Sequence, residues 1–214
     1  MYVPKHFEEN EWLEIRKLIE ENSLATVVSC EAGVPVATHV PLLLVEVAAD
    51  KFVLRGHFAG HNPHWRVLES GEKTLVIFTG ADCYISPRWY ESTNVPTWNY
   101  MSVHIYGKPR LVRDAGELHQ IMKALVDRYE GNVAGAERYR MENLPAEYRE
   151  SQMRAIVGFE ISVDEVQCSF KLSQNRNERE HENVIKELKK TGDAAAQAIA
   201  SAMTAQRKRE KARG

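Results

Sequence analysis

The chain has 214 residues, 43% of them hydrophobic and 27% charged, with a formal net charge of −2. That is enough for one globular domain with a substantial core. No apolar run approaches the about 20 residues of a membrane helix, and no charged segment leads into an apolar stretch, so membrane and secreted classes are excluded.

In chain order, Trp12, Ile15, Leu18 and Ile19 repeat near a 3.6 period and predict a helix over 8–21. Leu24 to Cys30 reads as a strand, Glu31-Ala32-Gly33 as a turn, and Val34 to Val47 as a long strand interrupted by Pro41. A turn at 48–51 leads to a strand from Phe52 to Phe58, which makes a meander of hairpins and not a βαβ alternation. Asn62-Pro63 opens a helix that ends near Ser70-Gly71. Strands follow at Lys73 to Thr79 and Cys83 to Ser86, joined by Gly80-Ala81-Asp82. Pro87 to Pro96 reads as a functional loop before one long strand, Thr97 to Val112. Asp114 caps a helix to about Arg128; residues 131–155 read as irregular and helical by turns; a last strand runs from Ala155 to Phe170. From Asn177 two helices meet at Thr191-Gly192-Asp193. The pattern is mainly β in an α+β setting: a small antiparallel barrel with flanking helices.

The three cysteines, Cys30, Cys83 and Cys168, are too few and too widely spaced for a disulfide framework or a zinc module. Reduced thiols in a cytoplasm are the expectation. The last eight residues carry five cations and one acid, so the rest of the chain is net −6. An acidic body is a poor match for a phosphate backbone and a basic tail a good one, although such a tail also reads as a solvated, disordered terminus. Phosphate-loop, dinucleotide-fold, serine-hydrolase and zincin motifs are all absent from the sequence.

Three constellations remain. The run from His57 to Trp65 (HFAGHNPHW) joins a strand end to a helix start, where backbone N–H groups and the Asn and His side chains suit an anion. Its histidines read less well as a metal site, because Asn62-Pro63 starts the helix after His57 and His61. The second holds Tyr84, Trp89, Tyr90, Trp98 and Tyr100 with Arg88 and Asn99 interleaved; it could form a slot for a planar ring, or be in part ordinary core. The third, Lys171-Leu172-Ser173-Gln174-Asn175-Arg176, is a dense donor set, or a polar turn with a helix cap.

These segments, with Met1-Tyr2-Val3-Pro4-Lys5-His6-Phe7, Tyr84-Ile85-Ser86-Pro87 and Val95-Pro96-Thr97-Trp98-Asn99-Tyr100, resemble the PaiB family, from residue 1 to about 190. Its members are FMN-binding negative transcriptional regulators of the FMN-binding split-barrel group. The resemblance implies a six-stranded antiparallel split barrel over 1–176; the residues beyond it read by themselves as a helical extension over 177–206 and a disordered basic tail over 207–214. It implies a homodimer with FMN at the subunit interface. His39, Val40 and Pro41 would lie along the flavin ring. His57, Ala59, Asn62 and Trp65 would approach the ribityl phosphate. Arg88, Trp98, Asn99, Lys171, Ser173, Gln174 and Arg176 would complete the pocket. The Arg/Lys pair that the group's oxidases place on the phosphate is replaced here by a His/Asn-rich loop.

Three functions follow as expectations. The first is a dimeric FMN-binding regulator, with DNA as a possible partner through the tail. The second is a small FMN-dependent oxidoreductase in which His39, His57 and Arg88 tune the flavin or hold substrate. The third is a haem-binding protein with His6, His39, His57 or His181 as axial ligand. No metal site is expected.

Overall fold

The computed structural model describes residues 1–131, 133 and 139–213. Part of the segment read as irregular, Asn132 and 134–138, lies outside the described residues, as does Gly214 of the tail. The described residues form two compact units. One comprises Met1–Asn22, Phe78–His104 and Gln167–Gly214; the other comprises Ser23–Ile77 and Ile105–Val166. Three strands run from one unit into the other.

The second unit begins with a hairpin, β1 (Leu24–Glu31) and β2 (Val34–Pro41), in register from Leu24↔Pro41 to Glu31↔Val34. Its two-residue turn has positive φ at both Ala32 (49°) and Gly33 (83°), the mirror-image geometry that matches strand twist. Proline ends β2 as predicted, and the chain resumes as β3 (Leu43–Ala48), paired with β4 (Lys51–Ala59). The short α2 (His64–Leu68) follows, and then β5 (Thr74–Ile85), whose start pairs with β1 through Thr26↔Ile77. After β6 (Thr97–Gly107) come β7 (Pro109–Val112), α3 (Ala115–Glu130), α4 (Ala146–Arg154) and β8 (Ile156–Ser162). The four-stranded sheet has the order β3-β4-β8-β7. Asp114 caps α3 as the sequence predicts, its carboxylate accepting the N–H of Glu117 at 2.8 Å. The apolar face of that helix, Leu118, Ile121 and Leu125, packs with Leu43 and Val112 into the unit's core.

The first unit holds α1 (Trp12–Glu21), the later part of β5, most of β6, β9 (Glu165–Lys171) apart from its first two residues, α5 (Glu178–Lys190) and α6 (Ala194–Arg213). Asn177 caps α5 by accepting the N–H of Glu180 at 2.9 Å. Ile15, Leu18 and Ile19 of α1, Val184 and Leu188 of α5, and Ile199, Ala200 and Met203 of α6 are buried. The C-terminal helices are thus an integral part of a folded unit and not an extension beyond it.

The sequence-based elements need four corrections. There are nine strands among the described residues, not six. β5 is continuous through Gly80: a Cβ there would stand 3.1 Å from Leu18 Cδ1 and 3.3 Å from Met101 Cβ, so this glycine serves close packing and not a turn. The strand expected over 97–112 divides at Lys108, whose N–H donates to Ser162 Oγ while its carbonyl accepts the N–H of Ser162. The strand expected over 155–170 divides at 163–164, where Val163 N–H donates to Phe52 O and Asp164 N–H to Tyr106 O.

The fourth correction concerns the tail, because α6 continues to Arg213. Arg209 pairs with Glu9 at 2.9 Å and Glu14 at 2.8 Å, Lys211 pairs with Glu178 at 2.5 Å, and Arg207 pairs with Glu210 at 3.6 Å. Charges that look like a free terminus are engaged in docking the last helix. Arg209→Ala is therefore expected to lower stability by about 1–2 kcal/mol, because it leaves the largely buried Glu9 carboxylate unpaired; urea denaturation of the two proteins checks this. No described helix is long and apolar enough to cross a membrane.

Candidate functional site

The second unit gathers the residues from the hairpin edge and the His-rich loop. In β2, Val40 is buried and Pro41 half-buried, while His39 is exposed and its Nδ1 lies 2.9 Å from Thr26 Oγ1 of β1. Alternation turns Thr38 the other way, towards α2. Thr38 Oγ1 accepts from Asn62 Nδ2 at 3.2 Å and lies 2.9 Å from His64 Nδ1. Asn62 Oδ1 accepts the backbone N–H of His64 at 3.0 Å, which fixes Nδ2 as the donor to Thr38. The hydroxyl then has its proton to give to His64 Nδ1, and the imidazole proton sits on Nε2. That Nε2 is buried with no partner among the described residues. His64 is fully buried (0% exposed) and stacked on Phe58, with centroids 5.1 Å apart and planes at 17°. Burial holds its pKa below the usual histidine value, and does the same for His57, whose Nδ1 is likewise buried and unpartnered.

The loop departs from the expected anion cradle. Gly60 N–H donates to Ala155 O, Asn62 N–H to Ala59 O, and His64 N–H to the Asn62 side chain, so these donors are already engaged. The helix that follows is only five residues long, too short for an appreciable dipole. Asn62 therefore shapes the loop. Ala59 is exposed at the end of β4. Trp65 donates its indole N–H to Gly60 O at 3.0 Å, and the exposed Arg66 lays its guanidinium over that indole at 4.7 Å. Arg66 was not singled out by the sequence, and His64 entered only as one histidine of the run from His57 to Trp65. The usable signal was Asn-Pro-His, in which an Asn side chain can bond the backbone two residues on.

The first unit separates the aromatic set. Trp98 (53% exposed) meets Tyr84 edge-on at 6.1 Å on the surface, whereas Asn99, its neighbour in β6, points inward and is fully buried. The period of two in a strand prevents both from lining one slot. Asn99 Nδ2 donates to Ser173 Oγ at 2.9 Å and to Met203 Sδ at 3.6 Å. Ser173 has a φ of 64° at the centre of the tight turn after β9. Gln174 closes that turn, its Oε1 accepting Leu172 N–H at 2.7 Å and its Nε2 donating to Phe170 O. His181 Nε2–H donates to Leu172 O at 3.1 Å. Ser173 and Gln174 thus hold the turn together.

The cations of that turn keep some freedom. Lys171 Nζ donates to Thr97 Oγ1 at 2.6 Å, and burial with Arg176 nearby lowers its pKa. Arg176 stacks at 4.7 Å on Tyr90, whose buried hydroxyl has no partner among the described residues. Arg88 is exposed and only its backbone is engaged, with Ser86 Oγ.

Residues 1–165 match the family described as "Putative FMN-binding domain". The chain is 40% identical over 203 residues to "Protease synthase and sporulation protein PAI 2" of Bacillus subtilis, covering 95% of this chain and 96% of that one. It is 34% identical over 154 residues to the uncharacterized protein YKL070W of Saccharomyces cerevisiae, covering 61% and 90%. Among solved structures it is similar in fold to the flavocytochrome Anf3 from Azotobacter vinelandii, with TM-score 0.58, 15% identity, and coverage of 79% and 72%. It is also similar to the conserved hypothetical protein Rv2991 from Mycobacterium tuberculosis, with TM-score 0.57, 13% identity, and coverage of 82% and 92%. This chain therefore belongs to the FMN-binding family that includes the PaiB proteins, with an α+β flavin-type split-barrel fold and FMN as its cofactor.

Proposed function

We propose that this protein is a regulatory flavoprotein of PaiB type: a cytoplasmic homodimer that holds FMN against the free edge of β2 and acts in negative transcriptional control. The observation that carries the reading is that edge. β2 is the terminal strand of its sheet, so one side of its backbone has no strand partner among the described residues. Val34, Pro35 and Ala37 on it are exposed. Proline at both ends, Pro35 and Pro41, blunts the edge against indiscriminate pairing.

The residues present fit FMN. Its ring edge needs alternating donors and acceptors, which an open strand supplies. The buried Nδ1 of His57 and Nε2 of His64 are polar atoms of the kind a bound group satisfies. The phosphate needs cationic donors; with the loop's N–H groups engaged, Arg66 on its Trp65 platform fills that role. In the proposed homodimer, Arg88, Trp98, Lys171 and Arg176 of a second copy of the chain are the candidates for further contact, whereas Asn99, Ser173 and Gln174 support the turn they stand in. When bound, FMN supplies one- or two-electron transfer. The exposed apolar residues of β2 give a second copy of the chain a surface to cover.

Titration of dialysed protein with FMN tests the reading. The expected result is saturable quenching of flavin fluorescence at one FMN per chain, about tenfold weaker in His57→Ala and in Arg66→Ala. No binding at tens of micromolar rejects it, and a monomer in sedimentation of the FMN-bound protein rejects the dimer. Three of the tail's cations have carboxylate partners, which leaves Lys208 as its exposed, unpaired cation among the described side chains. DNA binding through the tail is therefore expected to show a log–log salt slope nearer −1 than −4.

A further inference from the structure

We infer that the second unit carries another small-molecule site, for an apolar monocarboxylate, in the cavity between α3 and α4. The cavity measures about 610 Å³, which is within the range of sites for compact organic ligands. None of its lining residues belongs to β2 or β4; Trp65, which also lines it, is the one residue it shares with the loop assigned above to the flavin phosphate, so the cavity borders that site without being the flavin-facing edge.

Its floor is apolar: Leu111, Leu118, Met153, Ile156 and Val157. Leu118 is part of the unit's core, and Met153 and Ile156 pack against that core. The floor therefore belongs to a fixed framework and not to a loop. A hydrocarbon body laid on it would gain the usual burial energy.

The rim is cationic. Arg113, Arg149 and Arg154 line it against one acid, Glu150. Arg113 is paired with Glu69, and Arg154 reaches Glu150 at 4.0 Å in a largely exposed contact. Arg149 has no ion pair among the described residues and is only half exposed. Ala115, the first residue of the 16-residue α3, also lines the mouth, so the positive end of a full-length helix dipole borders the same opening. An apolar floor under one unpaired guanidinium selects an amphipathic anion with a single charged head. A polyphosphate would meet only one free cation, and a neutral lipid would leave Arg149 without a partner.

The experiment is calorimetric titration of the FMN-loaded protein with octanoate, and in parallel with octan-1-ol, which has the same chain without the charge. Saturable binding of one octanoate per chain is expected, with the alcohol at least tenfold weaker. Arg149→Glu is expected to weaken octanoate at least tenfold, and Arg149→Lys to retain most of the binding. The flavin absorbance is expected to be the same in all three proteins. If the protein holds no FMN, the same titration of the FMN-free protein reads this site independently. Equal binding of acid and alcohol, no heat at millimolar octanoate, or an Arg149→Glu protein that binds like wild type would each overturn the assignment. So would conversion of a dimer to a monomer by Arg149→Glu, which would make the cavity an interface between copies.

Discussion

Replacing Gly107 by alanine is expected to destabilise the protein by about 3 kcal/mol or more, because among the glycines whose surroundings are described it leaves the least room for a methyl group. A Cβ at this position would stand 1.6 Å from Ser162 O, 2.7 Å from its carbonyl carbon and 3.1 Å from Ile161 Cγ2. The first two are backbone atoms, so no rotamer change relieves the collision. Nor can the strands simply move apart. Ser162 N–H donates to Lys108 O at 3.1 Å, and Lys108 N–H donates to Ser162 Oγ at 2.9 Å, one residue from the clash. Gly158 provides an intermediate case: its added Cβ would meet Leu118 Cδ1 at 2.6 Å, the end of a side chain that can turn aside. Gly192, between α5 and α6, has nothing within 4 Å, and Gly192→Ala is expected to stay within about 0.5 kcal/mol of wild type. Thermal unfolding of the three variants should rank them in that order, with Gly107→Ala lower by about 6–12 °C or failing to fold. A Gly107→Ala protein melting within 2 °C of wild type would show that the corner between β6 and β7 is not held as described.

The same corner shows what the sequence could and could not convey. Features decided by neighbours in the chain were legible: the turn at 31–33, the cap at Asp114 and the interruption at Pro41 each rest on contacts within a few residues. The division at Lys108 depends on Ser162, which is 54 residues away, and alternation of polarity looks the same whether a strand stays in its sheet or leaves it. Gly80 illustrates the ambiguity: a turn and a close approach both call for glycine, and only Leu18 and Met101 decide between them. In the candidate site, the segments were legible by composition, yet composition does not say which donors remain free. Asn99 and Ser173 looked like pocket donors and are bonded to each other across 74 residues. Arg209 looked like a free cation and is paired with Glu9 and Glu14, some two hundred residues away. Arg66 went unnoticed because its value lies in the indole beneath it.

Acid sensitivity is the second large expected effect, and it comes from buried histidine. His57, His64, His104 and His181 all have their pKa lowered, in each case chiefly by burial, and His181 is lowered further by Arg207. An unfolded histidine titrates near 6.5. Between that value and the lower folded values the unfolded chain binds more protons, so stability rises with pH across the window. The contribution is complete above about pH 7, declines as pH falls below 6.5, and levels off once the folded imidazoles are themselves protonated. The carboxylates whose pKa is lowered by partners, Glu117 by Arg110 and Glu180 by Ser92, act in a separate window: their contribution is lost only below about pH 4.5. The melting temperature is therefore expected to be flat from pH 8 to 7 and to fall between 6.5 and 5, at about 2–4 °C for each kcal/mol lost in a chain of this size. His64→Asn with His181→Gln tests the assignment. The asparagine oxygen can still accept from Thr38, and the glutamine amide can still donate to Leu172 O, but neither takes up a proton in this range. The double variant is expected to be less stable at pH 7.5, because a ring has been removed from a packed site, and to lose much of the slope between 6.5 and 5. A slope as steep as wild type would assign the acid response to other groups and would remove the argument that His64 is held neutral beside the proposed flavin edge.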